Sequence, residues 1–483
     1  MTDDDILARL EHYERFLDPG ERARLRESLE HPRLPAIRIN TLKIACEQAL
    51  RTWPDWYGWT VKPVPFCAAG WQIAAQEQPI GDTLEFHNGY YYIQDAASML
   101  PAEMFSDYDA PLILDMAAAP GGKTTHLASR FGDRGVILAN DTSAKRIAAL
   151  RANLQNWGVF GALVTNYPGE RLGQWFPETF DKVLVDAPCS GDTLRFTTGR
   201  RTRTVSDRER GALCQRQNAL LLSAFQAVRP GGEIVYSTCT MSPEEDEAVL
   251  DELLRRYPHQ AVIDPVEHLP VSAPGLDSDG SIPFHPQVRH AIRLWPHYYQ
   301  TSGFFAARIR KTGVIPVESE PPPSRAWAQS GLIPVPRKIQ AQMIDRLLQD
   351  FGFALDTIID TRKLLLWQRD KLIYALPERL VAFFAGLPLA AAGLMIGQMD
   401  GDRLIPSHEL ITRFETQFAR SRLTLVDDQC TTWLEGRDLR NVPDLPYTPG
   451  SVILLEDERG RFLGRGKVLR DRIRNLLPKR IIT

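Results

Sequence analysis

From Pro111 onward the chain repeats one unit: a short apolar run, a loop, and an amphipathic stretch of helix length. The apolar runs are "LILDM" (112–116), "VILAN" (136–140), "KVLVDAP" (182–188) and "GGEIVYST" (231–238). Strands this uniformly apolar are buried on both faces, and helices between them let successive strands run parallel. The pattern therefore dictates an α/β domain with a parallel sheet. It also dictates where chemistry sits, because ligands of such sheets bind beyond the carboxyl ends of the strands.

Local signals fill in the helices. Thr142 or Ser143 can cap the helix after the second run, and Gly158 stands just past its end. "CQRQNALLLSAFQAV" (214–228) carries one apolar face, and Ser242 with Glu245 has the spacing of a capping box for a helix at 243–256. At 483 residues the chain exceeds one domain. We expect an N-terminal α+β accessory domain (1–105), a Rossmann-like domain (106–312), a Pro-rich linker (313–327), an intermediate domain (328–395) and a small β-rich domain (396–483).

A charged content of 24% and a net charge of −3 describe an ordinary globular protein, so any surface for a polyanion must be local. Cys46, Cys67, Cys189, Cys214, Cys239 and Cys430 form no CxxC pair. That argues against a zinc site or a disulfide framework and for a reducing compartment. The acidic, amphipathic first residues are unlike a signal peptide, and a cytoplasmic protein is expected. "LVAFFAGLPLAAAGLMIG" (380–397) lacks charge, but its glycines and proline favour two buried strands over a membrane helix.

"DMAAAPGGKTT" (115–125) follows the first strand, where small residues admit a ligand to the backbone. It nearly matches a phosphate loop, with Ala117 in place of the first glycine before Gly122, Lys123 and Thr124. The other ligand that fits is S-adenosylmethionine, whose ribose needs a carboxylate at the end of the neighbouring strand. Asp141, closing "VILAND", stands there. Its competing role is to cap the following helix, which Thr142 and Ser143 can do themselves.

Asp186, Cys189 and Cys239 lie just past strand ends, in "LVDAPCSG" and "VYSTCT". A cysteine is ordinarily a small buried hydrophobe, but two at equivalent strand ends, one beside a carboxylate, suit covalent chemistry. Carbon 5 of a pyrimidine is a poor nucleophile until a thiolate adds to carbon 6. Cys239 is the candidate thiolate, favoured by the helix expected to begin near Pro243. Asp186 is the candidate for the group at ring nitrogen 3.

"AAAPGGKT", "AND", "DAPCSG" and "YSTCT" followed by "PEEDEAV" resemble, in order and spacing, the Sun/Nop family of RNA (cytosine-5) methyltransferases. "RINT" (38–41), "YYIQDAAS" (91–98) and "RLWPHYYQTSGFFAA" (293–307) resemble its flanking motifs. The resemblance covers about residues 30–310. It implies a class I methyltransferase core in which Ala117, Ala118, Ala119, Pro120, Gly121, Gly122 and Lys123 contact S-adenosylmethionine. Asp141 would hold its ribose, Asp186 would serve the base at the border with the cofactor, Cys239 would be the nucleophile, and Cys189 would assist breakdown of the adduct. The phosphate-loop reading gives neither cysteine a task. Two departures stand out: Pro168 in "TNYPG" (165–169) replaces the acid usual at the third strand, and "CSGDTLRF" lacks a second glycine.

The resemblance implies RNA as partner, ribosomal RNA first and transfer RNA second, with no membrane, no metal and a monomeric enzyme. "RFTTGRRTRTVSDRER" (195–210), with six arginines, suits phosphate contacts. The C-terminal tail, nine basic residues against one acid, resembles a PUA-like RNA-binding domain. A DNA cytosine methyltransferase using Cys189 and a catalytically silent RNA-binding assembly factor are the alternatives.

Overall fold

The computed structural model describes residues 10–11, 13–194, 205–266, 273–440 and 446–481. Four sheets form among these residues. The largest is built on five parallel strands: β1 (Leu112–Asp115), β2 (Val136–Asn140), β3 (Ala162–Thr165), β4 (Phe180–Asp186) and β5 (Val228–Thr238). Their order is β5-β4-β1-β2-β3, so the chain reverses direction across the sheet after β3. An antiparallel strand β6 (Phe304–Lys311) covers β5, and Ala391–Ala392 pairs antiparallel with β3.

Alternation along each strand feeds two cores, as a period of two requires. Leu114, Leu138, Leu163, Val183 and Ile234 enter one, while Ile113, Ile137, Val164, Leu184 and Val235 enter the other. The helices α1 (Gly122–Phe131), α2 (Ala144–Trp157), α3 (Asp207–Ala227) and α4 (Glu247–Arg256) cover these faces. Helix α3 starts seven residues before the expected 214, behind a capping box of Ser206 and Glu209.

Three expectations are corrected. The Ser242–Glu245 capping box does not form, and α4 begins at Glu247. Glu245 instead accepts from Ser190 N and Gln217 Nε2, so tertiary partners outbid the local cap. The first of the two strands expected in 380–397 is the helix Glu378–Phe384, whose Phe384 ring stacks on Phe180. The Pro-rich stretch is no free linker: Ile315 and Trp327 are buried in the sheet core, and Glu320 N donates to Gln174 O.

The N-terminal region folds as a four-stranded antiparallel sheet around Trp53, Trp59, Trp71 and Tyr91. Its Arg38, fully buried, donates to Gly122 O and Thr125 Oγ1 of α1 and lies over the Trp157 ring. A five-stranded sheet runs from Ile333–Pro334 to Arg403–Pro406, and a second from Arg422–Leu425 to Arg472–Asn475. The boundary expected between 395 and 396 falls inside the strand Leu394–Asp400, which pairs with Leu372–Pro377 on one side and Arg403–Pro406 on the other. We place the division after Pro406 instead, because hydrogen bonding across the hairpin makes 333–406 one sheet. No helix among the described residues is long and apolar enough to cross a membrane.

Candidate active site

The site forms where β4, β5 and β1 end side by side. The register pairs Asp186 with Ser237, so Cys189 and Cys239 emerge at matching heights on adjacent strands. Their sulfurs are 3.2 Å apart. Cys239 is exposed and Cys189 half-buried. Ser237 Oγ donates to Asp186 Oδ1 at 2.9 Å, and Lys123 Nζ reaches Asp186 Oδ2 at 2.7 Å from the first turn of α1.

Two shifts follow from this packing. The Cys189 thiol, donating to its neighbour, holds Cys239 below the ordinary thiol range. Burial and Asp186 oppose that shift, and the Lys123 ammonium supports it. Cys189 is raised well above its ordinary value by the same hydrogen bond and by burial. Burial alone would lower Lys123, but Asp186 and Cys239 hold its pKa up. A thiol whose ionised form is favoured, beside a cation and a second, proton-bearing thiol, is the outcome. The source is not the helix start near Pro243 expected above, since α4 begins beyond it.

The two thiol loops are locked by groups the motifs did not reveal. Fully buried Glu245 accepts from Ser190 N at 2.8 Å, from Gln217 Nε2 at 3.0 Å and from Arg210 Nη1 at 3.3 Å. Ser190 Oγ meets Thr240 Oγ1 at 3.1 Å. Behind Cys239, Thr238 Oγ1 donates to buried Asp246, and Arg293 forks onto Glu247. The missing glycine of "CSGDTLRF" has a structural answer. Gly303 N donates to Thr193 O, and a Cβ at Gly303 would lie 2.7 Å from Met241 Cγ and 2.9 Å from Thr193 O. Thr193 itself keeps an ordinary φ, so its backbone does not require a glycine.

The loop 117–123 turns between β1 and α1. Gly121 adopts φ +113° at the helix start, a conformation that L side chains rarely adopt. Ala118 N donates to Asn140 O and Ala119 N to Asp141 Oδ2, so these two amides shape the loop. Ala117 and Gly122 are half-buried and Pro120 is exposed. A Cβ at Gly122 would lie 3.0 Å from the Tyr92 ring, within "YYIQDAAS". The Lys123 side chain turns away from the loop toward Asp186. Asp141 also accepts from Ser143 N at 2.8 Å, so it, and not the Ser143 hydroxyl, caps α2.

Asp115 ends β1 and opens this loop. Its carboxyl is fully buried at the end of β1, Thr124 Oγ1 donates to Oδ2, and Oδ1 has no partner among the described residues. Burial pushes this group up to about 7. Buried Asn140 joins three strand ends, donating to Met116 O and Tyr167 O and accepting from Thr165 Oγ1 and Tyr167 N. At 165–169 there is no carboxylate, and Asn166 Nδ2 is committed to Asp141 O.

S-adenosylmethionine is a good match for these residues. Asp141 keeps free lone pairs for ribose hydroxyls beside its two amide donors, and the orphaned oxygen of Asp115 suits an ammonium group. A Cβ at Gly121 would lie 3.2 Å from Leu150, so the loop packs closely against α2 there.

The comparisons with known proteins agree with this geometry. The family model "16S rRNA methyltransferase RsmB/F" matches residues 103–310, and "N-terminal domain of 16S rRNA methyltransferase RsmF" matches 8–96. The ribosomal RNA small subunit methyltransferase F of Erwinia tasmaniensis is 33% identical over 470 residues, 96% of this chain and 94% of that protein. The chain belongs to the RsmB/F methyltransferase family. It is therefore an S-adenosylmethionine-dependent RNA (cytosine-5) methyltransferase. The same-named protein of Shigella boydii is 34% identical over 464 residues, covering 94% of this chain and 91% of its own. Among solved structures, a methyltransferase homolog from Pyrococcus horikoshii is 33% identical, with a TM-score of 0.55 over 64% of this chain and 100% of its own. The expected Rossmann-like core and its cofactor class thus stand.

Of the six arginines in 195–210, Arg210 is spent on Ser242 and Glu245 inside the protein, and positions 195–204 lie outside the described residues. Among the described residues, four of the nine basic residues of the tail form ion pairs: Arg461 with Asp457, Lys467 with Asp400, Arg472 with Asp438, and Arg480 with Glu409.

Proposed function

We propose that this enzyme methylates carbon 5 of a cytosine in 16S ribosomal RNA, acting as a cytoplasmic monomer with no metal, with Cys239 as the nucleophile. The observation that carries the reading is the thiol pair 3.2 Å apart beside the Lys123–Asp186 ion pair, all beyond the parallel strand ends. The names of the close relatives supply the RNA class.

The exposed Cys239 thiolate adds to carbon 6 of an unstacked cytosine, making carbon 5 nucleophilic. Asp186, held by Lys123 and Ser237, faces ring nitrogen 3 and stabilises the adduct. When bound, S-adenosylmethionine supplies an electrophilic methyl group; the loop from Ala117 to Lys123 and Asp141 would hold it. Once Cys239 is bonded to carbon it no longer accepts from Cys189. The largest cause that raised Cys189 disappears while burial persists; Cys189 gives its proton to water, then takes the proton from carbon 5 as Cys239 leaves as a thiolate. The N-terminal sheet and the C-terminal β-rich region serve RNA binding in this reading.

Methyl transfer to 16S RNA, transfer RNA and DNA, with bisulfite mapping of the product, tests it. Cys239→Ala should abolish transfer and adduct formation. Equal transfer by that variant would remove Cys239 from the mechanism, and transfer to DNA alone would replace the substrate class.

A further inference from the structure

The thiol pair has a chemistry besides methyl transfer. Disulfide formation needs sulfurs that close to about 2.05 Å on backbones about 4.4–6.8 Å apart. From 3.2 Å, closure requires an approach of roughly 1 Å. The loops that carry the thiols are tied to each other through Ser190, Thr240 and Glu245, so the sulfurs are held face to face.

We infer that Cys189 and Cys239 form a reversible oxidation site, in which a hydroperoxide converts the two thiols into a disulfide and withdraws the nucleophile from RNA methylation. The loss of activity rests on the role proposed for Cys239; the disulfide itself does not.

The steps balance. The Cys239 thiolate attacks the terminal oxygen of the hydroperoxide, the O–O bond breaks, and an alcohol (water, from hydrogen peroxide) leaves after protonation. Cys239 is then a sulfenic acid. The Cys189 sulfur attacks the Cys239 sulfur, the S–O bond breaks, and the hydroxide departs with the Cys189 proton as water. Two thiols lose two electrons, and one hydroperoxide gains them. A dithiol reductant reverses the change by exchange.

Selectivity comes from surroundings. Cys239 is exposed and its thiolate is favoured by Cys189 and Lys123. Cys214 donates a hydrogen bond to Glu244 O, and burial pushes it up to about 11. Cys67 is buried, and burial raises Cys430 to about 11. The resolving partner matters as much. Without Cys189 at 3.2 Å, an oxidised Cys239 would go on to irreversible sulfinic acid.

The test treats the purified full chain with a small excess of hydrogen peroxide, then titrates thiols, weighs the intact protein and maps peptides without reductant. Expected are two fewer titratable thiols out of six, a mass lower by two hydrogens and a 189–239 crosslinked peptide. Methylation should fall at least tenfold, and dithiothreitol should restore both thiols and activity. Cys214→Ser should give the same crosslink. Six persistent thiols, or sulfinic acid at Cys239 with Cys189 still alkylatable, would overturn the inference. If the reduced enzyme transfers methyl groups but never crosslinks, only the inference fails. If it crosslinks but never methylates RNA, the proposed function fails and the oxidation site stands.

Discussion

Cys67 and Cys239 each face a second reactive side chain, at 3.8 Å and 3.2 Å, in opposite surroundings. Cys67 is sealed with His126 and Glu103 between the N-terminal sheet and α1, and burial raises its thiol far above the ordinary range. Burial lowers His126 to about 4, so the imidazole stays neutral. Burial works to raise Glu103, but His126 and Arg130 hold it at about 2. Charge in that cluster is already balanced by the Arg130–Glu103 pair. Cys239 is exposed, faces a cation, and has a proton donor in Cys189. What separates Cys67 from Cys239, the proposed nucleophile, is access and the charge of the neighbours, since nearness to a partner is common to both.

The largest test of that contrast is paired. Cys239→Ala should lower methylation by roughly 10⁴-fold with little change in melting temperature. Cys67→Ala should keep kcat within about twofold while costing about 1–2 kcal/mol of stability. Kinetics and thermal melts on both variants read the contrast directly. A folded but inactive Cys67→Ala enzyme would break it.

Cys189→Ala is expected to slow turnover about 10²-fold and to leave RNA covalently attached, visible as a shifted band on a denaturing gel. Lys123→Met should cost about tenfold at neutral pH. Removing the ammonium raises the Cys239 pKa, so the acid limb of the kcat/KM profile moves to higher pH. An unmoved limb would assign Lys123 to the cofactor side alone.

The smallest effect concerns stability. His126 has a folded pKa of about 4 against 6.5 for the free side chain. The unfolded chain therefore binds a proton that the native chain refuses, and stability is lost as pH falls from 6.5 toward 4. His126→Gln should flatten the stability–pH curve in that window by up to one bound proton, measured by urea unfolding. The variant should leave the activity profile above pH 6.5 unchanged.

Much of the catalytic domain was legible because its signals are local. The apolar runs became β1, β2, β4 and β5 within a few residues, and Gly158 stands just past α2 as expected, with a left-handed φ of +84°. The motif residues converge because the strand-end rule depends only on chain direction. Other features were not legible because their partners are distant in sequence. Glu245 looked like a cap residue, but Ser190 N and Gln217 claim it from 55 and 28 residues away. The spacing of cysteines could not show that Cys67, Glu103 and His126 meet. Nor could an apolar run near 394 show which neighbouring strands it pairs with.

Sequence alone determined the parallel sheet, the glycine turn and the identity of the side chains at the strand ends, since period, turn propensity and chain direction are written residue by residue. Tertiary structure alone decided that the Cys189 and Cys239 sulfurs meet at hydrogen-bonding distance, that Lys123 pairs with Asp186, and that Asp115 keeps an oxygen without a partner among the described residues. Distances across strands and exclusion of water set those properties, and both exist only once the sheet has closed.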